Sequence, residues 1–525
     1  MTQDRRAAES ISLGLPRSPG QAEPLPDLAM DTDWQAQQRL WGHSFHPMCS
    51  YLGSFPAALA QAFIGRYSRP GDVVIDPFSG RGTVPLQACA ERRIGVGVDL
   101  NPLAAVLTAA KTDPPIRREA ESRLDRLRID WSRARAHWLD ASRGAAIDAE
   151  LAAVPAVRGS GRRLESLPSA VAGLFHPTTL AQLLFLRTTL DGSRTVDRFL
   201  LAAVAGILHG SSGSYLSTAM PNAFSLAPAY TRRWLQGRHV PAPERDAFAL
   251  ASAKLDRLFR DGRPVQRGVA LGGDARDAGP RIGAALRSRG MPHRARLVVT
   301  SPPYLRVIRY GSYNWLRLWF LGHDPEQVDL DTTPPAGAEA YGRFLHEALD
   351  SMRELLTDDA VLVLVLGDVA TDHGRARGTV TALAELVWEL AAEPAGYRLA
   401  GIVADPVAPA RKLTRMWGAE AGRATSTDRL LILGASEAGR RRALAGAATP
   451  VDWSRRRGAA PPPVKPMPAA ILAPYAADVS PGRPGGDGSA GPHEEPRPRS
   501  HDQPATLLRA PAATPPVRAG GQSGA

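Results

Sequence analysis

The chain has 525 residues, a formal net charge of +12 and a hydrophobic share of 44%. That length and apolar content suit one large domain carrying an insertion or tails. No apolar run approaches the roughly 20 residues of a bilayer span, and the stretch from Met1 to Pro26 lacks the apolar segment of a secretory leader. A cytoplasmic protein without a membrane partner is expected. Two cysteines, Cys49 and Cys89, lie outside any metal-ligand spacing, which excludes a structural zinc site and a disulfide scaffold. The positive excess suits a polyanion, because cationic groups that neutralise phosphates release counterions. From Arg440 onward, however, 12 Lys and Arg face 6 Asp and Glu, so half of the excess lies in the last segment.

In chain order, residues 1–30 are polar, proline-bearing and aperiodic, and are expected to be disordered. Between Phe55 and Tyr67, the residues Leu59, Phe63 and Tyr67 recur at the spacing of one helix face. The turn Arg69-Pro70-Gly71-Asp72 leads into Val73-Val74-Ile75, read as the first strand. A helix over Thr83 to Arg92, a strand over Ile94 to Val98 and a helix over Asn101 to Ala110 complete a β-α-β-α run. Its short connections predict a parallel sheet. From 112 to 266 the period turns helical and arginine-rich, with Leu180 to Leu190 and Phe199 to Leu208 as apolar helices. Strand signals resume at Gly268 to Leu271, Leu297 to Val299 and Ala360 to Leu366. The last is apolar throughout, as expected where helices cover both faces of a sheet. A strand pair at Arg398 to Val403 and Arg429 to Leu433 follows. The prediction is an α/β fold, a Rossmann-like, doubly wound and mostly parallel sheet. It is divided into 31–111 and 267–436 by a helical insertion at 112–266, with a disordered basic Pro/Gly/Ala-rich tail at 437–525.

Two strands end on loops that carry chemistry. Asp76-Pro77-Phe78-Ser79-Gly80-Arg81-Gly82-Thr83 follows the first. Gly80 and Gly82 let the backbone turn tightly and approach a ligand, and the helix start at Thr83 offers unpaired N–H groups. Such a turn alone serves a dinucleotide or a mere tight bend equally well. Asp99 ends the second strand, 23 residues after Asp76, where Rossmann-like sites place a carboxylate on the ribose hydroxyls. Asp274 ends the third strand. One aspartate at a strand end is more often a helix cap; three at successive strand ends point to a nucleoside cofactor. Thr300-Ser301-Pro302-Pro303-Tyr304 then follows the strand Leu297 to Val299. Its prolines stiffen the loop, and Tyr304 offers a flat face for a base. Further on, Arg306 to Tyr310 and Tyr313 to Phe320 interleave arginine with aromatic residues, which suits bases and phosphates or a helix with a buried Trp-Leu-Trp face.

The two blocks together resemble the S-adenosylmethionine-dependent DNA amino-methyltransferases, the DNA methylase N-4/N-6 family. The resemblance covers about Phe45 to Leu433 and is specific only in those blocks. It implies S-adenosylmethionine as cofactor, bound by Asp76, Phe78, Gly80, Gly82, Thr83, Asp99 and Asp274, the last accepting from the adenine amino group. It implies catalysis by Ser301, Pro302, Pro303 and Tyr304, with the Ser301 hydroxyl and Pro302 carbonyl accepting the protons of an exocyclic amine. The target base must then leave the duplex. Serine at the head of this motif is seen mainly in N4-cytosine enzymes and aspartate mainly in N6-adenine enzymes, so methylation of cytosine N4 in double-stranded DNA is expected. N6-adenine methylation and RNA base methylation are the alternatives, and a cognate restriction endonuclease is a partner the resemblance allows. A C5-cytosine mechanism needs a nucleophilic cysteine, usually after proline, but Met48 precedes Cys49 and Ala88 precedes Cys89. The insertion, with Ser217 to Ser225 and Tyr230 to Trp234, is a candidate target-recognition region or an ordinary helical cap.

Overall fold

Alternate residues of the apolar run 361–366 fall on opposite sides of one sheet. Val361, Val363 and Val365 enter one core and Leu362, Leu364 and Leu366 enter another, the period of two that a strand imposes. The computed structural model describes residues 24–38, 41–142, 169–220, 228–237, 241–303, 309–367, 369–370, 380–381, 383–406 and 427–453. Its strands are β1 (Val73–Asp76), β2 (Ile94–Asp99), β3 (Val269–Gly272), β4 (Ala295–Thr300), β5 (Leu356–Gly367), β6 (Val369–Ala370), β7 (Val380–Thr381), β8 (Arg398–Pro406) and β9 (Thr427–Gly434). Among the described residues, seven of them form one sheet in the order β3-β2-β1-β4-β5-β9-β8, and β6 pairs with β7 separately. β1 pairs in parallel with both β2 and β4, β2 with β3, and β4 with β5. Only β9 runs against its neighbours. The chain winds outward one way through β1, β2 and β3 and the other way from β4. The sheet is therefore Rossmann-like and doubly wound, with its switch point between β1 and β4.

Three cores hold this frame. One sheet face packs on α1 (Ala57–Tyr67) and α2 (Thr83–Ala90) through Phe63, Tyr67, Val84 and Ala88. The opposite face packs on the helices Ala278–Ser288 and Ala338–Met352 through Ile282, Leu286, Tyr341 and Leu345. Burying each such large apolar side chain stabilises the fold by about 1.5–3 kcal/mol. The third core joins α3 (Pro102–Thr112) and α4 (Arg117–Ala141) to the helices Pro177–Thr189, Thr195–Ala205 and Ala247–Leu258. No described residue between 112 and 266 is in a strand. The helix Trp315–Leu321 adds all seven of its residues to the buried set. Trp315, Trp319 and Phe320 therefore face protein, and of the two readings of this aromatic stretch the structure takes the buried helix face. Arg187 on Pro177–Thr189 ties it down, donating to the Trp319 carbonyl at 2.9 Å with its guanidinium 5.6 Å over the Trp319 ring.

Both boundaries of the ordered region lie outside the expected ones. Leu28 N–H donates to Ile402 O at 2.7 Å and Ile402 N–H to Pro26 O at 2.9 Å, so part of 1–30 lies along β8. A helix, Glu437–Ala447, occupies the start of the expected tail, capped by the Ser436 hydroxyl, which accepts from Ala438 N–H at 3.0 Å. Tyr67 donates to the Ala443 carbonyl at 2.9 Å, and Trp453 packs edge-on to Trp41 at 5.5 Å. The helix escapes an apolar-periodicity reading because it packs through small residues: a Cβ on Gly439 would lie 2.4 Å from the Ala360 carbonyl oxygen. Described structure thus continues past the expected boundary at 437 as far as Trp453.

Candidate active site

The loop after β1 is shaped by two left-handed glycines, Gly80 at φ +50° and Gly82 at φ +76°. Gly82 N–H closes the turn onto Ser79 O at 2.7 Å, and Ser79 N–H reaches back to Val98 O of β2 at 2.9 Å. A Cβ on Gly82 would sit 2.9 Å from Thr108 Cα in α3. Here glycine serves both the backbone angle and the close approach of α3. One amide of the loop is aimed at Asp99, which accepts from Gly80 N–H at 2.7 Å and, beyond its own strand, from Asn101 N–H at 2.9 Å. Asn101 in turn caps α3 through Leu103 N–H at 3.0 Å and donates to the Tyr51 hydroxyl at 3.0 Å. Burial pushes the Asp99 carboxyl up to about 6, against the pull of its two backbone donors.

Asp76 sits behind this loop, 2% exposed. It accepts from the Thr300 hydroxyl at 2.7 Å and from Phe78 N–H at 3.2 Å. Burial raises it to about 7, partly opposed by those two donors and reinforced by the charge of Asp99. The carboxyl is thus a strut that fixes the end of β4 against the end of β1. Asp274 accepts from Arg276 N–H at 2.9 Å and from its guanidinium at 3.0 and 2.7 Å. Desolvation alone would raise this carboxyl; the Arg276 hydrogen bonds and charge outweigh it and hold it below the ordinary range. The same guanidinium lies 5.8 Å over the Phe344 ring, which packs 5.9 Å from Phe78.

On the β4 side, the Ser301 hydroxyl donates to Val365 O of β5 at 3.1 Å. That bond directs the hydroxyl proton towards β5. Tyr341 donates to Pro303 O at 3.0 Å and stiffens the next turn. Pro302 is buried. Tyr304 and Arg306 to Ile308 lie outside the described residues, as do Pro221 to Ser225 of the insertion.

One cleft gathers much of this, with about 900 Å³ of free space including its mouth. Phe78, Gly80, Asp99, Asp274, Ser301 and Pro303 all line it; Asp76, Gly82, Thr83 and Pro302 do not. Gly82 and Asp76 instead hold the lining loops from behind, and Thr83, at 4% exposure, is buried at the start of α2. Sequence reasoning did not single out Tyr51, Asn101, Arg276 and Phe344, nor the wall 331–335. Tyr51 stacks with Tyr310, centroids 5.9 Å apart and planes 23° from parallel. A signal for Asn101 was available, since Asn before Pro102 marks a helix cap next to Asp99. Nothing local marks Phe344 or 331–335. Among the described residues, no group of three or more His, Cys, Asp and Glu could hold a metal ion, and no helix is long and apolar enough to cross a membrane.

Comparison with known proteins agrees with this geometry. The DNA methylase family profile matches residues 33–109, which run from before α1 into α3. The type II methyltransferase M.MjaII of Methanocaldococcus jannaschii is 35% identical over 86 residues, 16% of this chain and 16% of that protein. The type II methyltransferase M.XycI of Xanthomonas campestris pv. cyanopsidis is 34% identical over 90 residues, 15% of this chain and 30% of that protein. The chain thus spans less than a third of the length of these curated relatives. Among solved structures, TrmN from Thermus thermophilus covers 74% of this chain and 52% of its own, at 13% identity and a TM-score of 0.25, a likeness too remote to bear on function. The glycine loop, Asp76 and Asp99 all lie within the matched segment, and over residues 33–109 the chain is similar to the DNA methylase family.

Proposed function

We propose that this protein transfers a methyl group from S-adenosylmethionine to an exocyclic amine of a base in double-stranded DNA, and that the amine is N4 of cytosine. One observation carries the reading: at the switch point of the sheet, a single cleft takes Gly80 and Asp99 from the β1–β2 side and Ser301 and Pro303 from the end of β4. Ligands of open α/β sheets bind at that edge.

The cleft fits a nucleoside. Each Asp99 oxygen already holds one backbone N–H and has lone pairs left for ribose hydroxyls. A Cβ on Gly80 would stand 3.6 Å from the Tyr51 ring, in the space between two lining residues. The Phe78 and Phe344 rings supply flat apolar wall, and Asp274 stands at the same wall. Bound S-adenosylmethionine supplies a methyl group on a positively charged sulfur. The remaining work falls to the chain. An amine conjugated to a base ring is a poor nucleophile because its lone pair is delocalised. Ser301 Oγ, at the cleft wall, accepts a hydrogen bond from one of its N–H groups and favours the pyramidal, reactive form, such a fixed dipole costing no reorganisation as charge develops. The proton released as the N–C bond forms and the S–C bond breaks passes to solvent. The Asp76–Thr300 hydrogen bond keeps the two half-sites at a set separation. A base inside a duplex cannot reach this cleft, so it is extruded. The excess positive charge of the chain suits the phosphate backbone. Serine rather than aspartate at position 301 favours cytosine.

Expression in a methylation-free host, followed by long-read sequencing and mass spectrometry of nucleosides, tests this directly. N4-methylcytosine in a short motif is expected. N6-methyladenine in its place moves the base assignment and keeps the enzyme class. Unmodified DNA from a folded, cofactor-binding protein overturns the DNA reading in favour of RNA.

A further inference from the structure

Behind the glycine loop lies a buried cation that the reaction as described does not use. Lys111, on the last turn of α3, is 0% exposed. Its Nζ donates to the carbonyl of Arg81 at 2.6 Å, and the carbonyl of His46 stands 3.5 Å away. Three residues earlier on the same helix, Thr108 donates to the carbonyl of Gly80 at 3.3 Å and shares a hydrogen bond with the Ser79 hydroxyl at 3.2 Å. Residues three apart lie on one helix face, so a single face of α3 holds the two consecutive carbonyls at the apex of the loop. Those two carbonyls fix the peptide planes that follow Gly80, including the Gly82 N–H that closes the turn onto Ser79 O at 2.7 Å, and the loop so held presents the Gly80 N–H to Asp99 at 2.7 Å.

The His46 contact reaches a second wall of the cleft. His46 opens the short turn His46–Met48 that leads to Tyr51, and its ring bonds Gln87 of α2 at 3.0 Å, which donates to Gln61 of α1 at 2.9 Å. The amine therefore sits where the glycine loop, the Tyr51 segment and the first three helices converge. Burial, with Arg81 and Lys254 nearby and Cys49 opposing them, holds Lys111 well below the usual lysine range. A neutral amine still donates two protons, so the contacts do not depend on charge.

We infer that Lys111 is a positioning residue for cofactor binding: it sets the glycine loop, and through it the Gly80 amide and Asp99, in the geometry that receives the nucleoside. This rests on the cofactor reading given above. The test is isothermal titration of the full-length chain with S-adenosylhomocysteine, comparing the parent with Lys111→Met and with Leu107→Ala, a buried apolar change on the same helix. We expect about ten-fold weaker binding in Lys111→Met, the loss of one buried hydrogen bond. KM for S-adenosylmethionine should rise in step while kcat stays within about two-fold. Leu107→Ala should lose stability and keep its affinity. If the parent itself does not bind, the cofactor reading falls and this inference with it. If the parent binds and Lys111→Met binds equally well, only the role of Lys111 falls. An equal loss of affinity in Leu107→Ala would also overturn it, since α3 would then act through general stability. Should Lys111→Met not fold, Lys111→Leu, which also removes the donor, takes its place. A chain that unfolds in both variants assigns Lys111 to the core and overturns the proposal.

Discussion

The two sides of the cleft are built in different ways. Most of the proposed cofactor side is local: Asp76, the loop to Thr83, Asp99, Asn101 and Thr108 all lie within one β-α-β-α run, and the bonds among them join residues at most 29 apart. Asp274 and Phe344 join it from later in the chain. The substrate side is assembled from afar. Ser301 bonds Val365, Tyr310 stacks on Tyr51, Pro303 takes a bond from Tyr341, and 331–335 closes the wall. The family match, at residues 33–109, covers the first side and stops short of the second. A site made of neighbours in sequence leaves a signature that survives divergence. A site made of distant segments can be rebuilt for each substrate.

Substitutions on each side sharpen this contrast. Ser301→Ala should strike turnover alone, lowering kcat by roughly 100- to 1,000-fold, as loss of one preorganised polar group does, while S-adenosylhomocysteine affinity stays within about two-fold. A matching fall in affinity would mean that the two sides are not separable. Asp99→Asn should do the reverse. Its amide cannot accept from both Gly80 and Asn101 and still present lone pairs, so affinity should drop about 10- to 100-fold by titration.

Acidity probes the cofactor side without mutation. Asp99 and Asp76 are raised to about 6 and about 7 in the fold, so their contribution to stability is full at low pH and lost as pH rises through those values. A ligand that needs Asp99 ionised shows the opposite trend. Its dissociation constant should fall about ten-fold between roughly pH 5 and pH 8, in step with the ionised fraction. A flat profile would separate Asp99 from the ribose. Asp329→Asn should have the smallest effect. Asp329 accepts from Gly311 N–H at 2.6 Å and Ser312 N–H at 3.0 Å, anchoring the turn that carries Tyr310. Asn keeps one acceptor and loses the other, so the change should cost up to about 1 kcal/mol in urea unfolding and raise KM for DNA more than KM for the cofactor.

Sequence carried the first side well because its determinants are local. The glycines at 80 and 82 are required by backbone angle, and Asp99 is marked by its distance from Asp76. The doubly wound sheet was legible because strands covered on both faces read as unbroken apolar runs. The order in which β9 inserts between β5 and β8 was not, since no local feature fixes which strands become neighbours. Gly82 and Asp76, expected to bind the cofactor, stand behind the loops that line the cleft and brace them. Arg276 and Phe344 were missed because their meeting with Asp274 and Phe78 is a product of tertiary packing. The helix Glu437–Ala447 was missed because small residues can pack closely with little hydrophobic signal.

The shared core of the insertion also bears on how such proteins can be recombined. Trp315–Leu321 lies beyond Ser301 to Tyr304 in sequence yet is buried with the helices inserted before β3. A chimera that exchanged 112–266 alone would leave Trp315 and Trp319 against a foreign surface and strand Arg187's partner. The two segments form one packing unit, and an exchanged insertion keeps its core only when the helix Trp315–Leu321 travels with it.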